Sequence, residues 1–235
     1  MFTVALIGPD GIGKTTIARH LEKSLPLAVK YLYMGDNLES SNYVLPTTRW
    51  WSARKKAKQA GEASAAPAKA PRDPARQSGV RFLRAARRRV QDAHGLLHTV
   101  AEEGYRQFVA DRFSKRGYIV VFDRHFLLDY YHHLLDPNVE RRRFGHRLHG
   151  FLLKLVNREP DLVICLDAPG DVPFKRKGER TPELLEDRRT QYLSLGKIVK
   201  NFAVVDADRS LALVIEDVAR HITRFREERQ RGQRG

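Results

Sequence analysis

Short, wholly apolar runs alternate along the chain with longer stretches in which apolar residues recur every three or four positions. Four of the short runs read as strands buried on both faces of a parallel sheet, because they are β-branched and lack alternation: Phe2 to Ile7, Tyr118 to Phe122, Leu162 to Leu166 and Phe202 to Val205. A fifth, Ala28 to Met34, is more mixed and is expected nearer a sheet edge. Between them lie helical patterns. Thr15 to Leu25 carries Ile17, Leu21 and Leu25 at intervals of four and ends at Pro26. Val80 to Phe113 reads as a long helical region, with Gly95 and Gly104 as points where it could break. Pro182 to Val199 opens after Thr181, a suitable N-cap. Leu211, Val214, Ile215, Val218, Ile222 and Phe225 form one apolar face. Strands alternating with helices predict an α/β sandwich around a parallel sheet.

One stretch breaks the pattern. Arg54 to Ser78 is rich in Ala, Pro, Lys, Arg and Gln and almost free of large apolar side chains, so burial cannot offset its ordering entropy. A mobile basic insertion at 54–78 within a single domain spanning 1–235 is the expectation. Arg229 to Gly235 is expected to be loose as well.

Composition sharpens this picture. The 235 residues are 42% hydrophobic, enough for a substantial core, and carry a formal net charge of +15. Such a surface favours polyanions: nucleotides, nucleic acid or an anionic membrane face. No run approaches the roughly 18 apolar residues of a membrane span. The residues from Met1 to Gly8 lack the basic segment and apolar stretch of a secretory signal. The lone Cys165 sits inside an apolar run, fits a small core residue and can form no internal disulfide. A cytoplasmic protein is expected.

The sharpest chemical signal is Gly8-Pro9-Asp10-Gly11-Ile12-Gly13-Lys14-Thr15, which matches GxxxxGK[ST] at every fixed position. It follows the first strand and opens a helix. Its glycines let backbone N–H groups wrap closely around phosphates, and the helix N-terminus adds positive dipole. ATP with Mg²⁺ is the expected ligand. Gly8, Asp10, Gly11, Ile12, Gly13, Lys14, Thr15 and Thr16 would contact it, with Lys14 bridging the β- and γ-phosphates and Thr15 ligating the metal.

Ligands of doubly wound sheets gather at the carboxyl ends of strands. There the third long strand run ends in Asp123-Arg124. Asp123 is expected to hold Mg²⁺, directly or through water, or to orient the acceptor oxygen. A strand-end capping acid is the plainer reading. Arg124 would bind an anionic group on the acceptor side. Lys175-Arg176-Lys177-Gly178-Glu179-Arg180 is basic and precedes the Thr181-Pro182 helix start. Arg176 and Arg180 are expected to close over ATP and neutralise charge during transfer; a solvated basic run is the alternative.

Together these pieces resemble the thymidylate kinase-like branch of the P-loop nucleoside and nucleotide kinases. The resemblance rests on residues 6–16, on Asp123-Arg124-His125, on Pro160 through Asp167, and on the lid candidate followed by Leu185-Glu186-Asp187-Arg188-Arg189 through Tyr192. It implies a P-loop NTPase sandwich with a five-stranded parallel sheet and a mobile lid near 175–181. It also implies that Arg124 holds the acceptor phosphate and that Asp10 lies near the acceptor sugar. The chain departs from the branch after the second strand run, where a typical thymidylate kinase has Arg-Glu-Pro and this sequence has Met34-Gly35-Asp36-Asn37. An acid there repels a phosphate and suits a hydroxyl acceptor instead, as related nucleoside kinases use a Glu. A turn Asp is the plainer reading of Asp36.

The remaining features are weaker. Arg81, Arg84, Arg87, Arg88 and Arg89 crowd one helix start and Arg141 to Arg143 form a second cluster. A nucleic-acid backbone could bind such clusters, but the interleaved aromatics of single-strand binders are lacking, so a solvated face is preferred. Arg84 or Arg88 could instead reach the acceptor. His94 and His98 have helical metal-ligand spacing without an acidic or cysteine partner; His132, His133, His146 and His149 are read equally plainly. Trp50-Trp51 suits a hydrophobic cluster over the acceptor pocket better than a membrane contact. The expected activity is ATP- and Mg-dependent phosphoryl transfer to a nucleotide or nucleoside. A nucleic-acid 5′-hydroxyl or another small hydroxyl compound as acceptor, and a non-metabolic NTP-binding module, stand as alternatives. A homodimer would suit the resemblance.

Overall fold

Five apolar runs pair into one parallel sheet: β1 (Thr3–Ile7), β2 (Val29–Tyr33), β3 (Ile119–Asp123), β4 (Leu162–Asp167) and β5 (Phe202–Asp206). The computed structural model describes residues 1–35, 41–50, 54, 77–125, 151–152 and 158–232, the side chains of 77–94 and 96 not included. The strand order is β2-β3-β1-β4-β5, the order typical of P-loop NTPase folds. β1 lies at the centre, with Val4 opposite both Val121 and Leu162. β2 lies at an edge, as its mixed composition predicts.

Among the described residues, the helices that flank the sheet include α1 (Lys14–Ser24), α2 (Gln77–Lys115), α3 (Asp171–Lys177), α4 (Pro182–Ser194) and α5 (Leu211–Gly232), with a 3₁₀ turn at Leu195–Lys197 after α4. Successive strand residues point to opposite faces, which divides the core in two. Val4 and Leu6 of β1 join Val121 and Ile164 in packing against Ile17 and Leu21 of α1 and Val214, Val218 and Ile222 of α5. Ala5 and Ile7 join Val120, Phe122 and Val163 against Val109 and Ala110 of α2 and Tyr192 of α4. Cys165 belongs to this second core; burial, then the nearby Asp167 carboxylate, pushes its thiol pKa up to about 12, so it is inert at neutral pH.

Three boundaries differ from the sequence reading. α2 runs unbroken through Gly95 and Gly104. A glycine costs a helix only about 1 kcal/mol, and burial of the face around Val109 and Ala110 exceeds that. The insertion expected at 54–78 lies outside the described residues for 55–76; Arg54 is helical, and Gln77 and Ser78 begin α2. The tail expected to be loose from Arg229 onward is instead helical to Gly232, because Arg229 is ion-paired with Asp161.

Asp161 fastens both termini of the fold at the amino end of the sheet. Its Oδ2 accepts from the Thr3 backbone N–H at 2.8 Å and from the Thr3 hydroxyl at 3.0 Å. Burial raises its pKa, but the Arg229 and Thr3 hydrogen bonds outweigh that and the net shift is downward. A carboxylate with a depressed pKa contributes stability above its unfolded value near 3.9 and loses it as pH falls through the folded value. Asp161→Ala should therefore cost about 1–2 kcal/mol at pH 7. In urea unfolding curves the gap to the parent should narrow once the pH drops below about 4; a gap independent of pH would contradict this role. Among the described residues, no helix is long and apolar enough to cross a membrane.

Candidate functional site

The Gly8–Thr15 loop leaves β1 at the carboxyl end of the sheet and turns directly into α1. Two of its glycines are demanded by their surroundings. Gly8 has φ +140°, and a Cβ there would lie 2.6 Å from the Leu166 carbonyl oxygen of β4. Gly11 has φ +89°, and its Cβ would lie 2.8 Å from the Pro173 carbonyl oxygen of α3. The loop is thus wedged between β4 and α3, where only backbone fits. The buried Ile12 pins it from below. Gly13 is the N-cap of α1 and offers no side-chain oxygen to the first helical N–H groups, which leaves that turn suited to an anion.

Lys14 is buried, and its Nζ donates to the Gly8 and Pro9 carbonyl oxygens at 2.7 and 2.8 Å, so the ammonium curls back over the loop. Thr15 and Thr16 are exposed on the first turn of α1. The Thr15 hydroxyl donates to Asp123 Oδ2 at 2.5 Å. Asp123 is fully buried at the end of β3, beside Leu6 of β1. Tyr31 approaches the same oxygen at a long 3.4 Å; burial, then this carboxylate, pushes the phenol pKa up to about 12. The other oxygen, Oδ1, has no hydrogen-bond partner. A hydroxyl beside a buried carboxylate with an unused oxygen fits a hard divalent cation that takes its remaining ligands from phosphate and water. Among the described residues no group of three or more His, Cys, Asp or Glu side chains comes together.

Asp10 gathers guanidinium groups from three elements. Arg124, at the end of β3, is ion-paired with its Oδ1. Arg180, in the turn between α3 and α4, lies 3.4 Å from Oδ2, and Arg188 of α4 lies 3.6 Å from it. Arg124 and Arg180 both hold left-handed backbone, with φ 68° and 66°, which aims their side chains at some conformational cost. Burial raises the Asp10 pKa, but Arg124, Lys14, Arg188 and Arg180 outweigh it and the net shift is downward. Asp10 is therefore an anion at neutral pH, seated among four cations.

Arg188 was not singled out in the sequence; the signal was its place in Glu186-Asp187-Arg188-Arg189, inside α4. The structure explains its reach. Thr181 caps α4, its side chain accepting from the Leu184 N–H. Arg189 grips Asp167 at the end of β4 with two bonds of 2.6 and 3.0 Å and Glu186 at 2.7 Å. Glu186 also accepts from the Gly170 N–H at 2.8 Å. This bracing fixes α4 against the sheet and leaves the neighbouring Arg188 facing Asp10. Arg176 does not join the group: its guanidinium donates to the Ala207 carbonyl after β5 at 3.0 Å. The basic run expected as a flexible loop is instead the end of α3, closed by Gly178 in left-handed conformation and followed by a short turn.

On the far side of Arg124 lies a polar surface that the sequence reading passed over. Glu102, Glu103, Arg106 and Gln107 of α2 are all buried, at 4%, 1%, 1% and 5% exposure. Their clue was spacing, since residues 103, 106 and 107 share a helical face with the core residue Ala110. Arg106 donates to the Gly35 carbonyl at 2.7 Å, just past β2. Glu102 accepts from the Leu45 N–H at 3.2 Å. His125, fully buried, packs its ring 5.0 Å from that of Phe122; burial lowers its pKa to about 3, so it is neutral. Asp36 lies outside the described residues. Arg84 and Arg88 lie on α2, but their side chains lie outside the described set, as do those of Arg81, Arg87, Arg89 and His94. Trp51, Arg141 to Arg143, His132, His133, His146 and His149 are also outside it. His98 hydrogen-bonds Thr48 at 2.8 Å, the plain reading of that residue. Trp50 is exposed, with the Arg54 guanidinium 5.2 Å from its ring centre. A shallow groove of about 410 Å³ between Pro26 and Thr223 of α5 lies at the opposite end of α1 and takes no part in the site.

Compared with protein-family models and with curated proteins, the chain matches none. What the structure establishes is an α/β sandwich with the strand order of P-loop NTPase folds, bearing at the carboxyl end of its sheet a glycine loop, a lysine, a Thr–Asp pair and three arginines drawn onto one acid.

Proposed function

We propose that this protein is an ATP-dependent phosphotransferase of the thymidylate kinase-like kind, moving the γ-phosphate of ATP to a nucleotide or nucleoside. The observation that carries the reading is convergence: the Gly8–Thr15 loop, Lys14, the Thr15–Asp123 pair and the arginines around Asp10 all meet at the carboxyl end of β1 and β3. In this reading the loop amides and Lys14 hold the ATP phosphates. Lys14 exchanges its present carbonyl partners for β- and γ-oxygens. Thr15 and Asp123 would hold Mg²⁺, which when bound neutralises charge on the phosphates. Arg124 and Arg188 face the transferring group from the acceptor side and Arg180 from the turn after α3. They release Asp10 in part as the phosphoryl charge arrives. The segment at 175–181, the end of α3 and the turn after it, then serves as the lid of a single domain, and Arg176 anchors its base. Catalysis comes from positioning and electrostatics, without a covalent intermediate. A cytoplasmic setting, where ATP and Mg²⁺ abound, suits this chemistry, and a homodimer suits the resemblance.

The test is ADP release from ATP and Mg²⁺ across deoxynucleoside monophosphates, nucleosides, 5′-hydroxyl oligonucleotides and simple sugars. Stimulation by a nucleotide or nucleoside is expected. Stimulation by oligonucleotides alone, with binding that weakens steeply in salt, would move the acceptor to nucleic acid. ATP binding without stimulation by any acceptor would favour a nucleotide-binding module over an enzyme.

A further inference from the structure

Starting from the kinase reading above, we infer that Arg189 is a positioning residue for the transfer step: it acts not on the substrates but by holding its neighbour Arg188 against Asp10.

Helix geometry sets the two arginines apart. At about 100° per residue, Leu185 and Tyr192 stand within about 20° of each other on one side of α4. Arg189 lies about 40° to one side of Leu185, and Arg188 about 60° to the other. Leu185 is wholly buried and Tyr192 nearly so. Apolar contact is non-directional, so this narrow stripe seats α4 on the sheet without fixing its roll. A roll of about 10° moves a group about 6 Å from the helix axis by about 1 Å. A displacement of about that size at a reacting centre can cost on the order of 10²-fold in rate.

Arg189 supplies the missing direction. Its guanidinium forks onto both Asp167 oxygens, Nε to Oδ1 at 2.6 Å and Nη2 to Oδ2 at 3.0 Å, and its Nη1 donates to Glu186 Oε1 at 2.7 Å. Glu186 Oε2 accepts in turn from the Gly170 N–H at 2.8 Å. Planar, bidentate pairs of this kind fix orientation as well as distance. Arg188 is held less firmly, 3.6 Å from Asp10 Oδ2, an oxygen that Arg180 also approaches at 3.4 Å. Two guanidiniums on one oxygen repel each other. Arg188 therefore does not fix α4; α4 fixes Arg188. The start of α4, and Arg180 with it, is seated separately, since a Cβ on Gly170 would lie 2.4 Å from the Pro182 carbonyl oxygen.

These contacts close a circuit. Asp167 follows Leu166, whose carbonyl oxygen would lie 2.6 Å from a Cβ on Gly8. The Asp167 carbonyl accepts from the Ala207 N–H at 2.7 Å, which steadies the strand end from its other side. From Gly8 the path runs through Leu166 and Asp167 to Arg189, then to Arg188, and back to Asp10, in the same loop as Gly8. The strand end that shapes the phosphate loop thus also sets where Arg188 stands relative to it.

On full-length protein, ADP release from ATP and Mg²⁺ is measured with deoxynucleoside monophosphates and nucleosides as acceptors, and ATP binding is titrated with a fluorescent non-hydrolysable analogue. Arg189→Met should lower kcat about 10–10²-fold and move the analogue's Kd by less than about threefold, because the Gly8–Thr15 loop keeps its own supports. Arg189→Lys, which keeps the charge and can keep one bond to Asp167, should recover part of the loss. In an Arg188→Ala background the Arg189→Met change should cost no more than about threefold, its route of action being gone. Losses that multiply in the double variant, a Kd that rises as far as kcat falls, or an Arg189→Met kcat within about threefold of the parent overturn this inference and leave the kinase reading intact. No turnover of the parent with any acceptor overturns the kinase reading, and this inference with it. If Arg189→Met does not fold, Arg189→Lys in both backgrounds decides in the same way.

Discussion

Lys14→Ala should lower acceptor-stimulated ADP release on the order of 10²–10³-fold or more while leaving the fold in place. The ammonium is the one cation seated inside the loop itself, buried and held to the Gly8 and Pro9 carbonyls. An interaction that strengthens as negative charge moves from the γ- to the β-phosphate acts mainly on kcat. Alanine is the best helix former and replaces the first residue of α1 without disturbing Gly13, so the melting temperature should move by only a few degrees. Steady-state kinetics and a thermal melt on the same preparation check both halves. Turnover within tenfold of the parent would remove the phosphate role of this lysine.

The second large effect is expected at Asp123→Asn. The amide oxygen still accepts the Thr15 hydroxyl bond, so shape is kept while the charge is lost. Turnover should fall about 10²-fold or more, and the Mg²⁺ concentration for half-maximal rate should rise at least tenfold. The distinguishing readout is the metal titration. A loss of rate with unchanged Mg²⁺ dependence and a raised acceptor KM would transfer Asp123 from metal binding to orienting the acceptor oxygen. An unchanged rate would leave it a strand-end acid that only holds the Thr15 hydroxyl.

Much of this was legible in the chain because the local signals agreed. All five strand runs, the glycine loop, the Thr181 cap and the strand-end position of Asp123 rest on patterns of a few neighbouring residues. Less legible was anything decided by which side chain meets which across the fold. Arg176 and Arg188 are indistinguishable as basic residues in basic stretches. Only the Arg189–Asp167 brace and the Ala207 carbonyl determine that one faces Asp10 and the other does not. The α2 row was missed for a similar reason. Glu102, Glu103, Arg106 and Gln107 look like a solvated face by type, and only their burial marks them otherwise. α3 escaped notice because seven residues, with a proline among them, carry too little periodicity to read as a helix.

The central place of β1 has a consequence for how the molecule is made. Its two neighbours, β3 and β4, pair Thr3 with Val120 and Val4 with Leu162, so the strand that launches the glycine loop finds its partners only after more than a hundred further residues have been made. Until then a strongly apolar segment waits unpaired, with both edges open to wrong partners. Contacts this distant in sequence form slowly. The loop's shape depends on Leu166 and Pro173 pressing against Gly8 and Gly11, and both lie later still. The loop is thus made well before the backbone that shapes it, and a nascent chain stalled before β4 would hold every residue of the loop without the Leu166 and Pro173 carbonyls that press against it.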